Sequence, residues 1–154
     1  MTSAFAVENK RRAAESAECK EITARLMEAT NAELDHYSPS GDNVLLKAPN
    51  MVLSCTSHRL TGISMGWDAS DSPPNEWFVL LAKAGKAVTG VDVSKLEAAS
   101  RKCHRTALKD KTELADLDIP DAKIECQAFT RDGGGVSISI WMNDPEARKG
   151  IEEP

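Results

Sequence analysis

The chain has 154 residues, which is enough for one domain, and its formal charge at pH 7 is −5. This acidic balance argues against a general affinity for nucleic acid, because such proteins need a strongly basic surface. No apolar run approaches the roughly 18 residues that a membrane span requires, and the N-terminus lacks the charge order of a secretory signal. We therefore predict a single domain over residues 1–154 in the cytoplasm.

Residues 3–35 contain no proline or glycine and are rich in strong helix formers, so they predict a helix. Its second half places Cys19, Ile22, Leu26 and Ala29 on one face. A continuous helix of this length would extend ~45–50 Å at 1.5 Å per residue, which exceeds the width of such a domain. We expect either a break near residues 13–16 or packing of the first part on another chain. Residues 1–12, like residues 144–154, are expected to fray or to form oligomer contacts.

Several segments after this helix are typical of strands. Short apolar runs predict strands at residues 44–47 and Met51–Cys55. In Thr61–Trp67, bulky residues alternate with small ones, and the bare face would let another element approach the backbone closely. Residues 77–82 are six apolar residues in a row, which favours a central strand covered on both faces, followed by a turn over residues 83–90.

A basic helix is predicted next. Residues 94–97 read Ser-Lys-Leu-Glu and match a capping box, with Ser94 as the cap and Glu97 reaching back. The helix should continue to about Lys109 with its apolar residues inward, namely Leu96, Ala99, Cys103 and Ala107. Residues 94–111 hold six basic and two acidic side chains, a net charge of +4 on an acidic protein. Such asymmetry indicates a surface for an anionic partner.

The last part of the chain predicts a β-hairpin. After a loop over residues 116–121, apolar residues alternate on both sides of a turn at residues 131–135, which contains three consecutive glycines. Pairing Ala128 with Ile138, Cys126 with Ile140 and Ile124 with Met142 would put all six side chains on one face.

These elements predict an α+β fold with a mostly antiparallel sheet of about five strands and two main helices, in the order α-βββ-α-ββ. In element order, length and acidic charge, the chain is similar to the small dimeric chaperones of bacterial type III secretion. That resemblance implies a homodimer that binds another protein.

The four cysteines are far apart and form no CxxC pair. Each fits a buried apolar position, so we interpret them as reduced core thiols of a cytoplasmic protein. A zinc site would need Cys55, His58, Cys103 and His104, but adjacent helical residues diverge by about 100° around the axis. Because Cys103 and His104 are adjacent, we predict no metal site. We also predict no cofactor, because the glycines at residues 133–135 precede a strand and lack the lysine of a phosphate-binding loop.

Two histidine motifs indicate an alternative function. His36-Tyr37-Ser38 and His104-Arg105-Thr106 both read H-x-[S/T], which resembles the signature of the two-histidine phosphoesterases. The resemblance implies that His36 and His104 act as acid and base on a phosphodiester, while Ser38 and Thr106 bind the phosphate. Imidazole suits this chemistry because it gives and takes protons near neutral pH.

Two groups of side chains are candidates for binding. The first is one stripe of the basic helix, which either holds an anionic partner or is only a solvated face. It consists of Lys95, Lys102, Arg105 and Lys109. The second is aromatic, since tryptophan is frequent at interface hot spots. It consists of Trp67 and Trp77, which bracket the loop over residues 68–75, and of Phe129 and Trp141 on the far face of the hairpin.

From these features we predict a non-enzymatic protein-binding module, acting as an inhibitor, adaptor or chaperone-like protein, and a homodimer. The alternatives are a small two-histidine phosphodiesterase and an anion- or nucleic-acid-binding protein that uses the basic helix over residues 94–111.

Overall fold

A computed structural model describes residues 13–47, 50–55 and 61–143. Within these ranges the chain forms three helices and one antiparallel sheet of seven strands. The helices are α1 (Ala17–Thr30), α2 (Asn75–Thr89) and α3 (Val93–Lys109). The strands are β1 (Leu34–Tyr37), β2 (Asn43–Leu46), β3 (Met51–Cys55), β4 (Thr61–Trp67), β5 (Leu114–Ile119), β6 (Ala122–Phe129) and β7 (Gly135–Met142). Their order in the sheet is β1-β2-β3-β4-β7-β6-β5. None of the described helices is long and apolar enough to cross a membrane.

All three helices lie on one face of the sheet and form a two-layer structure. Helix α2 packs between α1 and α3 and contacts the central strands β4 and β7, while α3 covers β5 and β6. Alternate strand residues point into this layer and are fully buried, among them Leu53, Ile63, Ile138 and Ile140. We call the opposite side of the sheet the open face. The predicted α+β class is confirmed, but about five strands and two main helices were too few, and the predicted order is wrong.

The largest correction concerns residues 77–82, which belong to helix α2 and not to a central strand. The buried residues of α2 include Trp77, Leu81, Ala84 and Val88, a spacing of one helical face. The apolar run hid this period because Val79 and Leu80, on the other side, are apolar too. Residues 83–90 are therefore not a turn: α2 continues to Thr89 and ends at Gly90, whose φ is +80°.

Two strands were missed. The predicted loop over residues 116–121 contains most of β5, in which Asp116 and Asp118 point to the open face and Leu117 toward the core. It is an edge strand, and charged residues are normal there. The other missed strand, β1, lies where the sequence predicted the end of the first helix and its turn.

Helix α1 begins at Ala17, so residues 13–16 of the predicted helix are not α-helical. A 3-10 turn occupies Ala13–Glu15, and Ser16 then caps α1 by accepting the Cys19 N–H at 3.1 Å. The predicted capping box of α3 is wrong. Asp92 is the N-cap, the Ser94 hydroxyl donates to its carboxylate, and Glu97 pairs with Arg101 at 3.1 Å. The termini over residues 1–12 and 144–154 lie outside the described residues.

The predicted hairpin is β6–β7, with a register two residues from the predicted one. Ala128 pairs with Val136, Cys126 with Ile138 and Ile124 with Ile140. The turn has five residues in both registers, but it lies over residues 130–134 instead of 131–135, with Asp132 in a left-handed conformation (φ 54°) at its centre. A shift of two residues leaves the same side chains on the core face.

The cysteines correct a further prediction. They are buried as expected, but they form two disulfides, Cys19–Cys55 and Cys103–Cys126, so the interpretation as reduced thiols is wrong. Each bond joins an outer helix to the sheet: α1 to β3, and α3 to β6. The pairing was not visible in the sequence because it depends on which helix packs on which strand.

Candidate functional site

The basic stripe of α3 forms an exposed ridge. We call Lys95, Lys102, Arg105 and Lys109 the cationic ridge; all four are exposed, opposite the buried Leu96, Ala99, Cys103 and Ala107. No ridge residue makes an ion pair with a described carboxylate. The positive charge of the ridge is therefore not neutralised by ion pairs within the described part of the chain.

The acidic groups at the ends of α3 are engaged locally. Asp110, which follows the helix, accepts the backbone N–H of Thr112 at 2.9 Å and its hydroxyl at 2.8 Å, and these bonds lower the pKa of Asp110. At the other end, the hydroxyl of Ser94 is the main cause of the lowered pKa of Asp92, with smaller contributions from Lys86 and Lys95. Both carboxylates thus favour the ionised form, and Asp92 interacts electrostatically with Lys95 of the ridge without forming an ion pair.

Arg101, also on α3, behaves differently from the ridge. Its guanidinium pairs with Glu97 at 3.1 Å, donates to the Asn75 side chain at 3.2 Å and lies 4.6 Å from the centre of the Phe78 ring. It thereby joins α3 to the start of α2. Arg101 is therefore paired within the fold, whereas the side chains of the ridge are free to contact solvent or a partner.

The structure does not bring the two histidine motifs together. His36 lies on the edge strand β1, exposed, with Nδ1 3.1 Å from the Asp35 carboxylate. His104 lies on α3, which packs over β5 and β6. Five strand intervals of about 4.8 Å separate β1 from β6, so the two sites are roughly 24 Å apart.

The motif residues have local roles instead. The imidazole of His104 is buried, donates from Nε2 to the Asp71 carbonyl at 2.7 Å and so ties α3 to the loop before α2. The Thr106 hydroxyl donates to the Lys102 carbonyl, and the Ser38 hydroxyl bonds to that of Ser40. No phosphate could contact both pairs at once.

Trp67 and Trp77 form hydrogen bonds at the two ends of the loop between β4 and α2. Trp77 is buried and donates from Nε1 to the Gly66 carbonyl at 3.2 Å. Trp67 is half-buried and donates to the Ser70 hydroxyl at 3.3 Å. Trp77 in particular is inaccessible to a partner in this fold.

The open face carries the other two aromatic candidates, at opposite ends of the β6–β7 hairpin. Phe129 covers Gly135 and lies under the Arg131 guanidinium, 4.6 Å from ring centre to carbon. Trp141 is six residues farther along β7, about 20 Å away at the rise of a strand. Its ring rests on Gly62, where a Cβ would come within 2.3 Å of it. Trp141 therefore packs against the small residues that the sequence predicted on one face of β4.

Between these aromatic side chains, the open face carries small polar side chains. The Ser64 and Ser139 hydroxyls bond to each other at 2.7 Å across β4 and β7. Toward β1, the half-buried Leu45 and Val52 form a cross-strand pair. No helix of the described chain packs on this face, so its apolar side chains face solvent or another molecule.

The described residues hold no group of three or more His, Cys, Asp or Glu side chains suited to a metal ion. Of the zinc ligands considered from the sequence, Cys55 and Cys103 belong to different disulfides. His58 lies outside the described residues.

Comparison with known proteins finds no matching family model, curated protein or solved structure. The likeness to type III secretion chaperones also weakens, because α2 is followed directly by α3 and the sheet has seven strands.

Proposed function

We propose that the protein is a non-enzymatic protein-binding module that holds an acidic partner on the cationic ridge. The observation that carries this proposal is the absence of any ion pair between the ridge and a described carboxylate, on a protein whose formal charge is −5. Like charges held along one helix repel each other, and an anionic partner relieves that repulsion. An inhibitor or adaptor would use such a surface.

The ridge is held rigidly, which favours binding. Helix α3 is attached to the sheet through Cys103–Cys126, to the loop before α2 through His104 and Asp71, and to α2 through Arg101. A partner would then order only the ridge side chains and not the backbone. Preorganisation of this kind increases affinity because less conformational entropy is lost on binding.

The two disulfides support a proposal for the compartment. Disulfides persist in oxidising environments and are rare in the cytosol of mesophiles. With both pairs formed, we place the working protein in an oxidising compartment in preference to the cytoplasm predicted from the sequence.

Charge reversal tests whether the ridge binds an acidic partner. Lys102→Glu with Arg105→Glu should weaken binding of a polyglutamate peptide at least about tenfold, since each lost charge-assisted contact is worth about 1.5 kcal/mol or more. Stability should change by less than about 1 kcal/mol because both side chains are exposed. Fluorescence anisotropy at two salt concentrations and urea unfolding measure these effects.

The matched control is Lys20→Glu with Lys47→Glu, which changes the net charge equally on other surfaces. Equal weakening by this control would show that binding depends on the net charge of the protein and not on the ridge. Tighter binding of single-stranded DNA than of polyglutamate would favour the nucleic-acid alternative and overturn the proposal.

We propose that the module is a homodimer through the open face. Both sheet edges are poor interfaces: β1 has only four residues and an irregular register between Leu34 and His36, and β5 exposes Asp116 and Asp118. The open face instead offers the apolar pair of Leu45 and Val52.

Replacing Leu45 and Val52 together with aspartate should therefore convert the dimer to a monomer, as measured by size exclusion with light scattering. Asn43 and Ser54 form the neighbouring cross-strand pair on the same face. Two aspartates there add the same charge without removing apolar contact and should leave the dimer intact. A wild-type protein that is monomeric at every concentration contradicts this proposal.

A further inference from the structure

A groove of about 790 Å³ opens between the C-terminal halves of α1 and α2, beside the end of β7. Its basic side chains lie on α1 and α2, whereas the cationic ridge lies on α3. The groove is lined by Arg25, Glu28 and Ala29 of α1, by Lys83, Lys86, Ala87, Val88 and Thr89 of α2, and by Gly90, Val93 and Met142.

The floor of this groove is apolar. Val88 is buried, and Ala87, Val93 and Met142 are partly buried and pack against the main core. Their remaining surface faces the groove opening, where no described helix covers it. An apolar chain laid along this floor would remove that surface from water.

The rim of the groove is basic. Lys83 and Lys86 are exposed one helical turn apart on α2, and neither makes an ion pair with a described carboxylate. Arg25 faces them from α1, held by its Nε donating to the Ala87 carbonyl at 3.2 Å and by a 3.4 Å contact with Glu21. Three cations against the single Glu28 give the lining a net charge of +2, opposite in sign to the whole protein.

We propose that this groove binds a single-chain anionic amphiphile, such as a long-chain carboxylate. The apolar floor takes the hydrocarbon tail, and Lys83, Lys86 and Arg25 hold the carboxylate at the rim. The volume lies within the roughly 300–1,000 Å³ typical of small-molecule sites.

A partner helix suits the groove less well. Such a helix anchors over positions i to i+7 along a continuous groove, a length of about 10 Å. The wall from α1 runs only from Arg25 to Ala29, about 6 Å. The inference does not depend on the ridge, because Arg25, Lys83 and Lys86 lie on α1 and α2 and no ridge residue lines the groove.

The test is isothermal titration calorimetry with dodecanoate below its micelle concentration. We expect one molecule to bind per chain, and dodecyltrimethylammonium, which has the same tail and the opposite charge, to bind at least about tenfold more weakly. Lys83→Glu with Lys86→Glu should weaken dodecanoate binding by at least about tenfold while the circular dichroism spectrum stays unchanged. Lys20→Glu with Lys47→Glu, equal in charge and outside the groove, should leave it unaltered.

Equal binding of the two amphiphiles, or equal weakening by the two double variants, overturns the proposal. So does light scattering in which the Lys83/Lys86 variant dissociates a wild-type dimer, because the occupant is then a second copy. Since polyglutamate binding at the ridge is measured separately, failure here leaves the protein-binding proposal standing.

Discussion

Replacing Cys19 and Cys55 together with alanine is expected to lower the free energy of unfolding by about 3–4 kcal/mol, and the Cys103/Cys126 pair should behave alike. The bonds span 36 and 23 residues, and closing loops of that size removes similar amounts of entropy from the unfolded chain. Because a domain is stable by only about 5–15 kcal/mol, loss of both pairs should leave little folded protein at 37 °C.

Urea unfolding of each double variant measures the loss, and a reducing agent supplies the control. Reductant opens both bonds, so it should destabilise the wild-type protein by about as much as the two double variants together and leave the quadruple alanine variant unchanged. Intact mass after alkylation under denaturing, non-reducing conditions tests the bonds themselves. Four alkylated thiols in protein made under oxidising conditions would show that the disulfides do not form.

The disulfides also affect the ridge. Cys103 lies on the inner side of α3, one position from Lys102, and fixes the helix to β6. Without that bond, the helix is held by packing, Arg101 and His104. We infer that reduction weakens partner binding as well as stability, which links the proposed function to the proposed oxidising compartment.

The alternation of apolar residues correctly predicted which side chains of β6 and β7 face the core, but it did not predict the register between the two strands. Ile124, Cys126, Ile138 and Ile140 are all buried on the core face as expected, because a period of two does not depend on the partner strand. Their register does depend on the turn, and the run of three glycines allowed a five-residue turn at residues 131–135 as well as at the observed residues 130–134. The same limit applies to the disulfides, because four cysteines allow three pairings.

Helix α2 shows a different limit. The run over residues 77–82 fits both a buried strand and a buried helix, because short apolar runs carry no period. Only the exposed Lys83 and Lys86 and the buried Val88 downstream indicate the helix. The turn assigned to those residues removed that signal, so the groove that they line could not be predicted. The cationic ridge, in contrast, follows from helical spacing alone, and its four residues share an exposed face.

Gly134→Ala is expected to destabilise the protein by about 3 kcal/mol or more, the second large effect. Gly134 has φ 88° and ψ 161°, a conformation that is almost exclusive to glycine and costs another residue about 1–3 kcal/mol. An added Cβ would also lie 2.5 Å from the backbone nitrogen of Asp71. That loop cannot withdraw freely, because the Asp71 carbonyl accepts a hydrogen bond from His104.

Gly133→Ala separates the two causes. Gly133 has nearly the same φ, 89°, but no atom lies within 4 Å of its added Cβ, so only backbone strain of about 1–2 kcal/mol should appear. Urea unfolding gives both costs, and the NMR signal of the His104 imidazole reports whether the loop has moved. Displacement of the loop should change that signal in the Gly134 variant and spare it in the Gly133 variant. Equal costs with an unchanged imidazole signal would mean that the loop is not wedged between the hairpin turn and α3. The hairpin turn would then have no part in positioning the helix that carries the ridge.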